Sequence, residues 1–171
     1  QLSIWCTASS SGQEPYSIAM LWKEHFPQFS DWFVRIVATD ISDDMLARSR
    51  EGIYSQFEVN RGLPARLLVK YFKRNGSNWQ AQDSLRSMIE FRKLNLTSPW
   101  PQLPTFDIVS IRNVLIYFDD DSRARAVNHL HDSLAPGGFI CLGHTESMSR
   151  ISDRFAIRRF PDAIVYQRPP A

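Results

Sequence analysis

The chain has 171 residues, 43% hydrophobic and 22% charged, with a net charge of +2. That length suits one domain with a real core, and the composition is that of an ordinary globular chain rather than a disordered one. Lys and Arg are spread along the sequence, so nothing suggests nucleic-acid binding, and no apolar run or signal peptide suggests a membrane or an export route.

Leu2 to Ala8 reads as a buried strand that breaks into a small-residue turn. Pro15 then opens a helix, Glu14 to Phe26, with Ile18, Leu21 and Trp22 at helical spacing. Phe33 to Thr39 is a second strand, and Ser42 caps a helix through Arg50, with Gly52 placed where a left-handed cap is wanted. From Gly52 to Ile89 the rhythm fails. Pro64 starts a short helix, Ala65 to Phe72, the Lys73–Asn78 segment is turn chemistry, and Trp79 to Ser87 alternates like a hairpin. This stretch, about 53–88, is expected to be a small β-containing insertion. Ile89 to Leu94 is the strand that rejoins the sheet.

Phe106 to Ile111 is another near-continuous apolar strand, followed by a helix from about Asp121 to Leu134. Pro136-Gly137-Gly138 breaks that helix, and Phe139 to Leu142 returns to the sheet. Phe155 to Arg159 and Ile164 to Gln167 are close enough to pair antiparallel. Repeated β-α units with apolar strands predict an α/β fold, an open parallel sheet covered on both faces. Cys6 and Cys141 fall in buried strands, as reduced packing thiols do, which points to a cytoplasmic protein. His25, His129, His131 and His144 lack metal-ligand spacing, so no metal is expected.

In such sheets ligands bind beyond the carboxyl ends of the strands. Strand one delivers Ala8, Ser9, Gly12 and Glu14 to that rim, and strand two delivers Asp40. The rejoining strand ends at Asn95-Leu96, and the next ends at Arg112-Asn113, with Tyr117 a turn beyond. An acid one strand past a small-residue turn suits ribose hydroxyls. The turn has one glycine rather than the G-x-G-x-x-G a pyrophosphate needs, and Glu14 stands where the phosphates would sit. A carboxylate there suits a cationic amino group, which favours S-adenosylmethionine over NAD. A plainer reading stands beside each residue. Glu14 complements the helix dipole, Asp40 caps the Ser42 helix, and Asn95 makes a turn. Arg112-Asn113 forms a hydrogen-bond cluster, Tyr117 and Phe118 are core, and His144 and Glu146 position a loop.

The stretches SSSGQEPYSIAM from Ser9, ATDIS from Ala38, ARSREGIYS from Ala47, Asn95-Leu96, RNVLIYF from Arg112, LAPGGF from Leu134 and GHTES from Gly143 run in order through the chain. In these it resembles the chemotaxis receptor methyltransferase family, CheR-type protein-glutamate O-methyltransferases, over their C-terminal catalytic domain. The resemblance implies a Rossmann-like class I S-adenosylmethionine-dependent methyltransferase sheet with a small inserted β-subdomain facing the receptor. It also implies that Glu14, Asp40, Asn95, Leu96, Arg112 and Asn113 bind the cofactor, and that Tyr117 is the active-site tyrosine. Product S-adenosylhomocysteine, chemoreceptor cytoplasmic signalling domains as partners, and a monomer are expected. Family members carry an N-terminal helical domain and linker with a catalytic arginine, both expected to be absent from this chain. Two other readings are a non-catalytic cofactor- or receptor-binding fragment and a nucleotide-dependent oxidoreductase.

Overall fold

Alternate residues of a strand point to opposite faces of its sheet, and here both faces are apolar. The computed structural model describes residues 1–149 and 151–170. The chain begins β1 (Leu2–Cys6), α1 (Gln13–His25), a 3-10 turn (Pro27–Phe29), β2 (Val34–Asp40) and α2 (Asp43–Glu51). The next part holds β3 (Ile53–Ser55), α3 (Gln56–Val59), α4 (Ala65–Tyr71), β4 (Phe72–Asn75), β5 (Asn78–Ala81) and α5 (Asp83–Arg86). Then come β6 (Ile89–Lys93), β7 (Phe106–Ile111), a 3-10 turn (Leu115–Tyr117), α6 (Asp120–Ser133), β8 (Leu134–Leu142), β9 (Ala156–Phe160) and β10 (Ala163–Gln167).

Seven strands form one sheet in the order β6-β2-β1-β7-β8-β10-β9. β6, β2, β1, β7 and β8 run parallel, and β10 is antiparallel to both of its neighbours. One face packs Ile4, Cys6, Ile36 and Ala38 against Tyr16, Ala19 and Met20 of α1, and against Tyr54, Tyr71 and Leu85. The other packs Trp5, Val37, Val109, Ile111 and Ile140 against Val127 and Leu130 of α6. Trp5 is fully buried, stacks on Phe106 and donates from Nε1 to Thr39 Oγ1 at 3.0 Å, so its one polar atom is satisfied. The strand order reverses between β1 and β7, which opens a crevice at their carboxyl ends.

A separate sheet, β3-β5-β4, is antiparallel and lies within the segment between α2 and β6. Its hairpin is β4–β5, with Asn75 opposite Asn78 across Gly76-Ser77. Trp79 to Ser87 is therefore not a hairpin. β5 ends at Ala81, and Asp83–Arg86 forms the helical turn α5, which buries Leu85. The apex lies in the turn chemistry that precedes Trp79. The break at Pro136-Gly137-Gly138 also differs. α6 ends at Ser133, and Leu134 already pairs with Phe106, before a register shift in the β7–β8 ladder. Among the described residues, no helix is long and apolar enough to cross a membrane. None of their His, Cys, Asp and Glu side chains group in threes to hold a metal ion.

Candidate functional site

The loop from Ala8 to Gly12 leaves β1 through two unusual backbone conformations, Ser10 at φ 51° and Gly12 at φ 96°. Neighbouring elements hold it in place. Ser9 N–H donates to Thr39 O at 2.9 Å, and Ser10 N–H to Asp40 Oδ2 at 2.8 Å. Ser49 Oγ of α2 donates to Ser10 O at 3.0 Å, and Tyr54 OH of β3 donates to Ser11 O at 2.7 Å. A Cβ on Gly12 would fall 2.8 Å from Ser49 Oγ and 3.0 Å from Tyr54 OH, so the turn needs glycine for space as well as for φ. The insertion thus buttresses the loop through Tyr54, whose phenol burial pushes well above its usual range.

Asp40 closes β2. Besides Ser10, its Oδ1 accepts from Ser42 N–H at 3.0 Å, and Ser42 Oγ in turn caps α2 by accepting from Met45 N–H. Asp40 O accepts from Leu94 N–H at 3.0 Å, which sets Asn95-Leu96 directly beside it. Asn95 Oδ1 accepts from Thr97 N–H and Thr97 Oγ1, an Asx turn. Leu96 is half-buried against the α6-side core, and its carbonyl accepts from Trp100 Nε1.

Glu14 sits in the first turn of α1, half-buried. Beneath it Cys6, Ser110 and Cys141 stand in one register row across β1, β7 and β8. Burial first and the Glu14 carboxylate second push both thiols up, while the Arg112 guanidinium opposes this at Cys141. Glu14 and Arg112 therefore act on Cys141 with opposite sign.

Arg112 and Asn113 are exposed just beyond β7. Asn113 has φ 59°, and its N–H donates to Glu146 Oε1 at 2.6 Å. Tyr117 is 81% exposed at the end of its 3-10 turn, so it is not a core residue. Arg123 of α6 pins that turn by donating to Leu115 O at 3.0 Å and Phe118 O at 2.9 Å. The structure thus brings Glu14, Asp40, Asn95, Leu96, Arg112 and Asn113 to one rim, with Tyr117 at its outer end. Sequence reasoning missed the supports Ser49, Tyr54, Thr39 and Arg123, whose partners are distant in sequence or are backbone atoms, so no spacing signals them. An apolar groove of about 560 Å³, lined by Met20, Leu21, Leu63 and Leu67, lies along α1, and neither Glu14 nor Asp40 lines it.

Comparison with known proteins identifies the family. Residues 1–164 match the model of the family described as CheR methyltransferase, SAM binding domain. Chemotaxis protein methyltransferase 2 of Vibrio cholerae is 40% identical over 98% of this chain and 59% of its own length. Chemotaxis protein methyltransferase 1 of Pseudomonas aeruginosa is 37% identical over 98% of this chain and 62% of its own. The chain thus spans about three-fifths of the length of these relatives. Among solved structures, the N-methyltransferase NodS of Bradyrhizobium japonicum, in complex with S-adenosyl-l-homocysteine, has a TM-score of 0.58 at 12% identity, covering 98% of this chain and 78% of that one. The glycopeptide N-methyltransferase MtfA, complexed with S-adenosyl-L-methionine, has a TM-score of 0.53 at 15% identity, covering 100% and 61%. At such identities the likeness is one of fold. The family match runs through the strand-end loops as well as the sheet, and on that ground the chain belongs to the CheR methyltransferase family, as its SAM-binding domain.

Proposed function

We propose that this chain binds S-adenosylmethionine at the rim formed by β1, β2, β6 and β7. We further propose that the protein it represents methylates glutamate side chains of chemoreceptor cytoplasmic signalling domains. The observation that carries the reading is the Asp40 carboxylate, fixed by Ser10 and Ser42 beside a loop that Ser49 and Tyr54 hold rigid. A carboxylate offers about four lone-pair positions, so acceptors remain for two vicinal hydroxyls. Glu14, half-buried above two neutral thiols, fits an ammonium group and repels a phosphate. The donor set therefore fits S-adenosylmethionine better than a dinucleotide, which argues against the oxidoreductase reading.

In this assignment Asp40 holds the ribose, Glu14 the amino group, and Asn95-Leu96 the adenine edge, with Leu96 as its apolar wall. Arg112 and Asn113 close the crevice, and Tyr117 stands next to the reacting centre. When bound, the cofactor supplies an electrophilic methyl group and leaves as S-adenosylhomocysteine. The acceptor glutamate, with an unperturbed pKa of about 4.3, is already ionised at neutral pH and needs no base. What the residues contribute is alignment, which can supply about 7–11 kcal/mol when reacting groups are well oriented. We assign residues 53–88 as the inserted subdomain that meets the receptor, and place the protein in the cytoplasm as a monomer.

Incubation of the whole protein with tritiated S-adenosylmethionine and a chemoreceptor cytoplasmic fragment tests the activity. The expected product is receptor-bound, base-labile label, lost when the receptor glutamates are changed to alanine. Label that appears on a nitrogen, stable to base, would overturn the assignment.

A further inference from the structure

We infer that Glu146 is a positioning residue: it clamps the Arg112-Asn113 turn to the end of β8 and thereby sets both side chains at the cofactor rim. This rests on the proposed cofactor site and adds a residue that touches neither cofactor nor substrate.

Beyond Ile111 and Leu142, strands β7 and β8 lose their ladder. A single carboxylate oxygen replaces the next rung. Glu146 Oε1 accepts from Asn113 N–H at 2.6 Å and from Gly143 N–H at 2.8 Å. Both are charge-assisted bonds to backbone donors, the short and strong kind. They bind Asn113 at φ 59°, a left-handed conformation that asparagine adopts more readily than other residues with a side chain. The packing leaves no slack. A Cβ on Gly143 would fall 2.6 Å from Glu146 Oε1 and would also collide with Asn113 Oδ1.

The clamp is itself anchored. Glu146 N–H donates to Gly143 O at 3.0 Å, which makes residues 143–146 a tight turn, and Met148, 1% exposed, sinks the following segment into the α6-side core. Glu146 commits one oxygen to the backbone and turns the other away from solvent. Oε1 serves two donors, and Oε2 is buried with no partner among the described residues. The Arg112 and Asn113 side chains, by contrast, are exposed and make no hydrogen bond among the described residues, so they are available to a ligand. Glu146 meets the candidate site residues through the Asn113 backbone.

Reach and charge separate in two variants. Glu146→Gln keeps an oxygen at the same reach without the charge, and Glu146→Asp keeps the charge but falls short of Asn113. The measurement is calorimetric titration with S-adenosylhomocysteine at a temperature where unfolding curves show each variant folded, paired with the amide proton shifts of Asn113 and Gly143. Glu146→Gln is expected to bind within about threefold of the unaltered chain, with both amide protons moved upfield less than in Glu146→Asp. Glu146→Asp is expected to bind about tenfold or more weakly, the scale of a lost hydrogen bond to a charged group, with both amides moved upfield. The reverse order, or equal binding by both variants, would overturn the inference while leaving the cofactor site standing. An unaltered chain that binds no S-adenosylhomocysteine would remove the cofactor site and this inference with it.

Discussion

Cys6 shows how tightly the rim is built at the level of single residues. It is fully buried, and burial and the Glu14 carboxylate both push its thiol up. Because the thiolate is the nucleophile, iodoacetamide at pH 8 is expected to leave Cys6 unmodified in the folded chain and to label it fully in urea. Glu14→Gln should not change that protection, since burial is the larger cause; rapid native labelling of Cys6 would contradict its placement beneath α1. Several of the proposed site residues stand out one by one, because their types suit a ligand. Asp40 and Glu14 were read correctly as strand-end and helix-start acids. Their double duty was not legible. Asp40 fixes both Ser10 and Ser42, and Asn95 spends its oxygen on the turn to Thr97. Those contacts depend on backbone direction, which residue type does not encode.

Among the elements, the contact between α1 and α4 carries a pH signature. Glu24 of α1 accepts from Lys70 Nζ at 2.6 Å and Tyr71 OH at 2.6 Å and pairs with Arg66. The hydrogen bonds from Lys70, Tyr71 and Arg66, in that order, pull its pKa from 4.5 to about 2. A carboxyl depressed in the folded state stabilises fully above its unfolded value and loses that contribution as pH falls through the folded one. Stability is therefore expected to drop between about pH 4.5 and pH 2 in part through Glu24. Unfolding midpoints for Glu24→Gln should show a shallower fall over that window, and identical profiles would refute the pairing. Gly52 illustrates what an element discloses in advance. Its place after Arg50 marks a left-handed cap, and it has φ 66° with no room for a Cβ beside Tyr16 OH. The hairpin was misplaced because Trp79 to Ala81 alternates, while the turn that defines the pairing lies just before it.

At the level of the whole molecule, the parallel sheet follows from apolar runs separated by amphipathic helices, with registers that place Ile4, Ile36 and Ile108 in one row. The alternation along β1, with Ile4 and Cys6 on one side and Trp5 on the other, assigns each residue to one of two cores. That logic was readable because a strand buried on both faces leaves few alternatives. The helix-to-strand switch at Leu134 was less so, since Leu134 is fully buried and fits either element. The loops beyond the strands were legible only as motifs, and their rigidity came from Ser49, Tyr54 and Arg123, partners brought close by the fold.

The most direct measurement is calorimetric titration of this chain with S-adenosylhomocysteine, with Asp40→Ala as the comparison and NADH as competitor. Asp40→Ala removes two charge-assisted hydrogen bonds, worth about 1.5–3 kcal/mol each, as well as the proposed ribose acceptor. The expected result is saturable binding, indifferent to NADH and abolished by Asp40→Ala at a temperature where that variant remains folded. Binding that survives Asp40→Ala, or that NADH displaces, would contradict the site.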